Sequence, residues 1–206
     1  MRSQRFKDAV FASAAPFAML SRGVWKLRLG SSVPARLRKG TDHRVWINLG
    51  SGASPYPQFI NVDINLARRP DMWLDVRRGI PFAPQTVDAI YTRHVLEHFY
   101  HDELTRVLAD SYRILKPGGW GIVMVPIHTS LDGVREHPVF TDVDRWKYFG
   151  QNDHVRLYSR HGFVSRLQHV GFRVLALGHD YFGTEQMTRC GINPASVIYV
   201  AEKPST

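Results

Sequence analysis

Short apolar runs alternate with turn residues through the middle of the chain. Val45 to Leu49, Phe59 to Val62, Met72 to Leu74, Val87 to Tyr91 and Gly121 to Val125 are each too short for a helix. Bounded by Gly, Pro, Asp or Asn, they read as strands buried on both faces, the mark of a parallel sheet. Between the last two, Asp102 to Leu115 changes period. Leu104, Val107, Leu108, Ser111 and Leu115 fall on one helical face, and Lys116-Pro117-Gly118-Gly119 stops the pattern. A second helical pattern begins at Val95 and breaks near Tyr100. Farther on, Tyr158 to Val170 predicts a helix closed by Gly171, with Phe172 to Leu177 and Val197 to Ala201 as further strands. Residues 127 to 154 keep no period: Phe140, Trp146, Tyr148 and Phe149 are mixed with Asp142, Asp144 and Arg145. Such a stretch inside a compact domain is functional more often than accidental, and it is expected to cover a substrate as a lid. The alternation predicts an α/β fold, a Rossmann-like, doubly wound, mostly parallel sheet in three layers.

The stretch from 45 to 63, VWINLGSGASPYPQFINVD, is the most informative. The first apolar run leads into Gly50-Ser51-Gly52, where missing Cβ atoms allow a ligand close to the backbone. The second run ends on Asp63, the place where a doubly wound sheet grips ribose hydroxyls. A dinucleotide site would also need a third glycine and a helix N-terminus for the pyrophosphate. Here Ala53-Ser54-Pro55-Tyr56-Pro57 follows, and only ten residues separate Gly52 from Asp63. Two prolines in so short a span leave no room for a crossover helix. A nucleoside without phosphate fits better, and S-adenosylmethionine is the common one.

Composition narrows the partners. The 206 residues suffice for one α/β domain, and the single cysteine, Cys190, excludes an internal disulfide and any multi-cysteine metal site. One cysteine and no apolar run of about 18 residues suit a cytoplasmic protein. The net charge of +9 is placed unevenly: residues 1–44 hold ten Lys or Arg against two acids, and residues 45–206 hold seventeen against sixteen. A near-neutral body argues against nucleic acid as partner. Residues 1–40 form a basic, amphipathic arm ahead of a domain at 41–206. The arm suits a peripheral contact with an anionic membrane, or one or two helices that cover the domain.

Several segments in this order carry a family resemblance: INLGSG at the first loop, NVDI at the acidic strand end, DVRRGIPF after the third strand, VDAIYTRHVLEHF around the fourth, and YRILKPGG before the fifth. The chain resembles the class I S-adenosylmethionine-dependent methyltransferases, in particular the small-molecule branch called methyltransferase type 11. The resemblance implies that Asn48, Leu49, Gly50, Ser51 and Gly52 line the cofactor's methionine and ribose. It implies that Asp63 accepts from the ribose hydroxyls with Ile64 on the adenine, and that Asp75 accepts from the adenine amino group beside Val76. Arg93 and His94 would border the methionine and the substrate entrance. Two departures stand out: Asn48 replaces the acidic residue usual in that family, and the first crossover is much shorter. Members that share this compact loop also share a segment like FGQNDHVRLYSR.

The expected reaction is in-line transfer of a methyl group to a small molecule or a glycan or lipid-linked acceptor. His128, at the end of the fifth strand, and His154, at the end of the insertion, are the candidate bases. His94 and His98 flank Glu97 at a spacing that can bind zinc, but no third ligand is evident, and no metal is expected. Asp63 and Asp75 have a plainer reading as turn caps. Two other functions stay open: a non-catalytic methyltransferase-fold binding or partner protein, and an RNA methyltransferase that uses the basic arm.

Overall fold

The structure, a computed structural model, describes residues 15–29, 33–39, 43–128, 134–136, 142–149, 151, 153–194 and 196–205. Five parallel strands form its centre: β1 (Trp46–Leu49), β2 (Ile60–Asp63), β3 (Met72–Trp73), β4 (Val87–Arg93) and β5 (Leu115–Met124). Two more, β8 (Arg173–Leu177) and β9 (Ile198–Glu202), complete a seven-stranded sheet in the order β3-β2-β1-β4-β5-β9-β8. β9 runs antiparallel to both of its neighbours. The chain turns back at β1, with β2 and β3 on one side and β4 and β5 on the other. That reversal between β1 and β4 is the position at whose carboxyl edge open α/β sheets have their ligand crevice.

Period-two alternation assigns the strand residues to two faces. Ile47, Leu49, Ile60, Val62 and Ile90 lie in the main core together with Leu104, Val107, Leu108 and Ile114 of α2 (His101–Ile114) and Phe163 and Leu167 of α4 (Arg160–Val170). On the opposite face a second cluster joins Met124 and Ile198 to Met187 and Phe182. These last two belong to the short helices α6 (Thr184–Arg189) and α5 (His179–Phe182). Layers therefore cover both faces, as the sequence predicts.

Over β1, β2 and β4 that second face carries no crossover helix. The ten residues from 50 to 59 join two parallel strands by turns alone, and Trp46, Tyr56, Phe59 and Tyr91 pack there ring against ring. Burial, with help from Tyr56, pushes the Tyr91 phenol up to about 12, so it remains neutral. Amide chemistry replaces helix packing. Asn61, on β2, accepts hydrogen bonds from Asn48 Nδ2 (3.0 Å) and Tyr56 N (2.9 Å). It donates to the carbonyls of Tyr56 and Phe59 and to Asp71 Oδ2.

Several expected elements differ. After β4 a single 3-10 turn, Leu96–His98, stands where the helical pattern begins at Val95. His94, at φ 54°, bends the backbone into the left-handed region and breaks any helix running out of the strand. Helix α2 ends at Ile114, and Leu115 opens β5 instead of closing the helix. Tyr158 is the last residue of a strand, β7 (Arg156–Tyr158), and the Ser159 side chain caps α4 by accepting from Gly162 N. The aperiodic insertion is partly regular: β6 (Val134–Glu136) pairs antiparallel with β7, and α3 (Asp142–Phe149) follows. Phe140 lies outside the described residues.

The described part of the basic arm is also regular. Helix α1 (Ala15–Leu29) buries Ser21 and Leu29, and Val33 and Leu37 join the main core. Met19, Leu20 and Leu27 stay exposed beside Lys26 and Arg28. Among the described residues, no helix is long and apolar enough to cross a membrane.

Candidate functional site

The crevice is built where three strand ends meet. Beyond β1, Gly50 N and Ser51 N donate to the Val62 carbonyl at 2.8 and 3.1 Å, which folds the first loop back over the end of β2. Asp63 completes the loop: Oδ2 accepts from Gly52 N and Oδ1 from Asn65 N, each at 2.7 Å. Each carboxylate oxygen has two lone pairs, so each keeps capacity for one more donor. The residue is 9% exposed, buried yet still reachable.

The two glycines serve different ends. Both have positive φ, 68° at Gly50 and 53° at Gly52. A Cβ on Gly50 would sit 2.4 Å from Val95 Cγ2, so its absence lets the turn after β4 close against the first loop. A Cβ on Gly52 would meet only the Gly50 carbonyl, at 3.9 Å, leaving open space above its backbone. A ribose can approach there, next to Asp63. Leu49 and Ser51 are buried under the loop.

The remaining expected contacts are less open. Asn48 is 2% exposed, and its amide nitrogen is taken by Asn61 Oδ1 and, at 3.3 Å, by the Ser54 carbonyl. It fastens the loop. Asp75 caps the turn Val76–Arg78: Oδ1 accepts from Arg77 N (3.1 Å) and Nε (2.8 Å), and Oδ2 from Arg77 Nη2 (3.0 Å), with Arg78 Nε at 3.4 Å. An adenine amino group would have to compete with those cations. Val76 is buried in the core, and the Ile64 carbonyl accepts from Trp73 Nε1. Arg93 donates to the Gly191 carbonyl at 3.1 Å, tying the end of β4 to the turn after α6.

Past β4 the imidazoles gather. His94 Nδ1 lies 3.3 Å and His154 Nε2 3.8 Å from Glu97 Oε1. The His98 and His154 rings meet edge to face at 5.0 Å. This turn is clasped by the segment before α4. Val155 N donates to the Glu97 carbonyl (3.1 Å), Tyr158 Oη to the Leu96 carbonyl (3.3 Å), and His98 Nδ1 bonds the Asp153 carbonyl (2.8 Å). The two sequence motifs HVLEHF and DHVRLYSR are thus one structural unit. His154 is 4% exposed, and burial holds its imidazole below the ordinary value, partly countered by the nearby Glu97 carboxylate. His128, by contrast, is exposed in the segment that follows β5, its backbone N bonded to the Tyr158 carbonyl at 2.8 Å. The candidate bases therefore differ in kind, one at the surface and one in the interior.

A doubly wound sheet with a short, helix-free glycine loop and a strand-end carboxylate at its switch point is an architecture that nucleoside-binding α/β proteins share. A family model described as a methyltransferase domain matches residues 39–177, more than half the chain. The chain belongs to that methyltransferase family, its fold is that of the class I S-adenosylmethionine-dependent methyltransferases, and S-adenosylmethionine is the expected cofactor. A search of curated proteins found no match. Among solved structures, a SAM-dependent methyltransferase from Archaeoglobus fulgidus is 16% identical, with a TM-score of 0.55 over 88% of this chain and 94% of the other. One from Mesorhizobium loti is 15% identical, with a TM-score of 0.53 over 80% and 92%. A Haloferax volcanii methyltransferase solved with the Trm112 methyltransferase activator is 13% identical, with a TM-score of 0.51 over 99% of both chains. At these identities the likeness is one of fold.

Proposed function

We propose that the protein methylates a small-molecule or glycan acceptor that enters between the His94 turn and the segment leaving β5. The observation that carries this reading is the clasp between 153–158 and the turn after β4, which holds the end of the insertion at the carboxyl edge of the sheet, beside Gly50. Helix α3 is anchored in the same region by buried Arg145, whose Nη2 donates to Tyr100 Oη, and by buried Phe149. It leaves Val143 and Trp146 exposed, an apolar surface suited to an acceptor with a hydrocarbon or sugar face. The near-neutral body supports a neutral or weakly charged acceptor over RNA.

Asp63 and the open backbone at Gly52 fit the cofactor's ribose, and Gly50 to Gly52 would run beside its methionine part. The cofactor supplies an activated methyl group. The protein's own contribution is position: holding reactants in near-attack geometry is worth up to about 7–11 kcal/mol. A hydroxyl or ammonium acceptor must also lose a proton. His128 is exposed at the edge and suited to take it, whereas buried His154 is not. His128→Ala is then expected to lower kcat by about 10²–10⁴-fold on an identified acceptor, with cofactor affinity unchanged. Full turnover in the variant across the neutral pH range would remove His128 as the base and point to an acceptor, such as a thiolate, that needs none.

A further inference from the structure

Glu97 is a carboxylate in the wrong place for its partners. It is 0% exposed, and neither side-chain oxygen has a hydrogen bond among the described residues. Taking an ionised carboxylate out of water without a partner costs several kcal/mol, and buried charges in proteins are paired or bind metals. What surrounds it is imidazole: His154 in the interior, His98 against His154, and His94, half exposed, on the solvent side.

We propose that Glu97, His98 and His154 form a binding site for a first-row divalent cation of the zinc class. One ligand atom from each lies within 4.8 Å of the others. Ligands around such a cation, at about 2.0–2.2 Å from it, sit somewhat closer together, so side-chain rotation must complete the set. His98 is oriented for the task. Its Nδ1 faces the Asp153 carbonyl at 2.8 Å, and since a carbonyl only accepts, Nδ1 carries the hydrogen and Nε2 the lone pair. Metal-bound histidines are typically fixed this way by a bond from the other ring nitrogen. The backbone adds rigidity, because the Val155 N–Glu97 carbonyl bond pins the segment bearing His154, just before β7, to the turn bearing the other two.

Two nitrogens and one carboxylate favour zinc or a similar cation over magnesium or calcium, which prefer oxygen ligands throughout. Three protein ligands also leave a coordination position open, as in catalytic rather than purely structural zinc sites. The sequence pointed away from a metal because its third ligand, His154, lies in a remote segment that only the fold brings in. The site adjoins Val95, which packs on Gly50, so a cation there would place positive charge beside the acceptor entrance. The proposal does not depend on the acceptor reading or on cofactor binding.

The test is calorimetric titration of the tag-free, metal-stripped full chain with Zn²⁺ alone, without cofactor. The expected result is one tight site. Glu97→Gln and His154→Ala should each lower its affinity by about 10-fold or more, with circular dichroism unchanged. Co²⁺ in place of Zn²⁺ should give the visible bands of a low-coordinate site. If a variant does not fold, the wild type still decides: a chelator should lower its Tm and Zn²⁺ should restore it. No tight Zn²⁺ site in the folded wild type, equal affinity in Glu97→Gln, a Tm indifferent to chelator and Zn²⁺, or a preference for Mg²⁺ would each overturn the proposal. Titration of the same sample with S-adenosylmethionine reports separately on the cofactor crevice.

Discussion

Asp63 holds two backbone amides at once and still offers lone pairs toward the crevice. Its removal should act on loop and ligand together. Asp63→Ala is expected to weaken S-adenosylmethionine binding by about 1.5–3 kcal/mol, the usual worth of hydrogen bonds to a charged group. Unchanged affinity in calorimetry, with the fold intact, would reduce Asp63 to a turn cap, which is the role its neighbour Asp75 visibly has. Features set by the local pattern were legible: a carboxylate at the end of β2, Asp63, and the turn glycines at positive φ. The packing of Val95, which follows β4, against Gly50 was not legible, because only the fold brings the two segments together. Glu97 and Asn61 were not legible as central residues, because burial and partners from distant segments give them their importance.

At the level of elements, the unusual feature is a parallel pair joined without a helix. The prolines announced it, but what replaces the helix could not be read from local pattern. Asn61 does so with five side-chain hydrogen bonds. Asn61→Ala would leave Asn48 Nδ2 and Tyr56 N without that acceptor, and is expected to cost about 3 kcal/mol in chemical denaturation. A cost below about 1 kcal/mol would mean that the aromatic cluster alone holds the loop. Asp71 anchors the same network. Burial raises its carboxyl, but bonds from Lys39 and from Asn61 outweigh this and leave it below its ordinary value. With a lower folded than unfolded pKa, its contribution is complete above about pH 3.9 and is lost as pH falls through the folded value. Asp71→Asn should therefore be less stable than wild type at neutral pH, and the two should converge in acid. A constant difference down to the acid limit would contradict this. Apolar runs marked every strand of the parallel sheet, whereas β6, β7 and α3 owe their form to tertiary pairing and left no period to read.

Over the whole molecule, the strand order puts the reversal between β1 and β4, and everything suited to a nucleoside collects at that edge. The helix-and-sheet alternation was sufficient to predict this architecture. The docking of α1 was not, because basic and apolar residues in 1–40 suited a membrane surface as well as a domain face. The central claim is that this crevice, with a helix-free loop and an asparagine where the resemblance expects an acid, binds S-adenosylmethionine. Isothermal titration of the folded full chain with S-adenosylmethionine and its demethylated product measures it directly. The account predicts one saturable site for each and far weaker binding of a dinucleotide. Absence of heat and of any Tm shift with both ligands, or tighter binding of the dinucleotide, would contradict it.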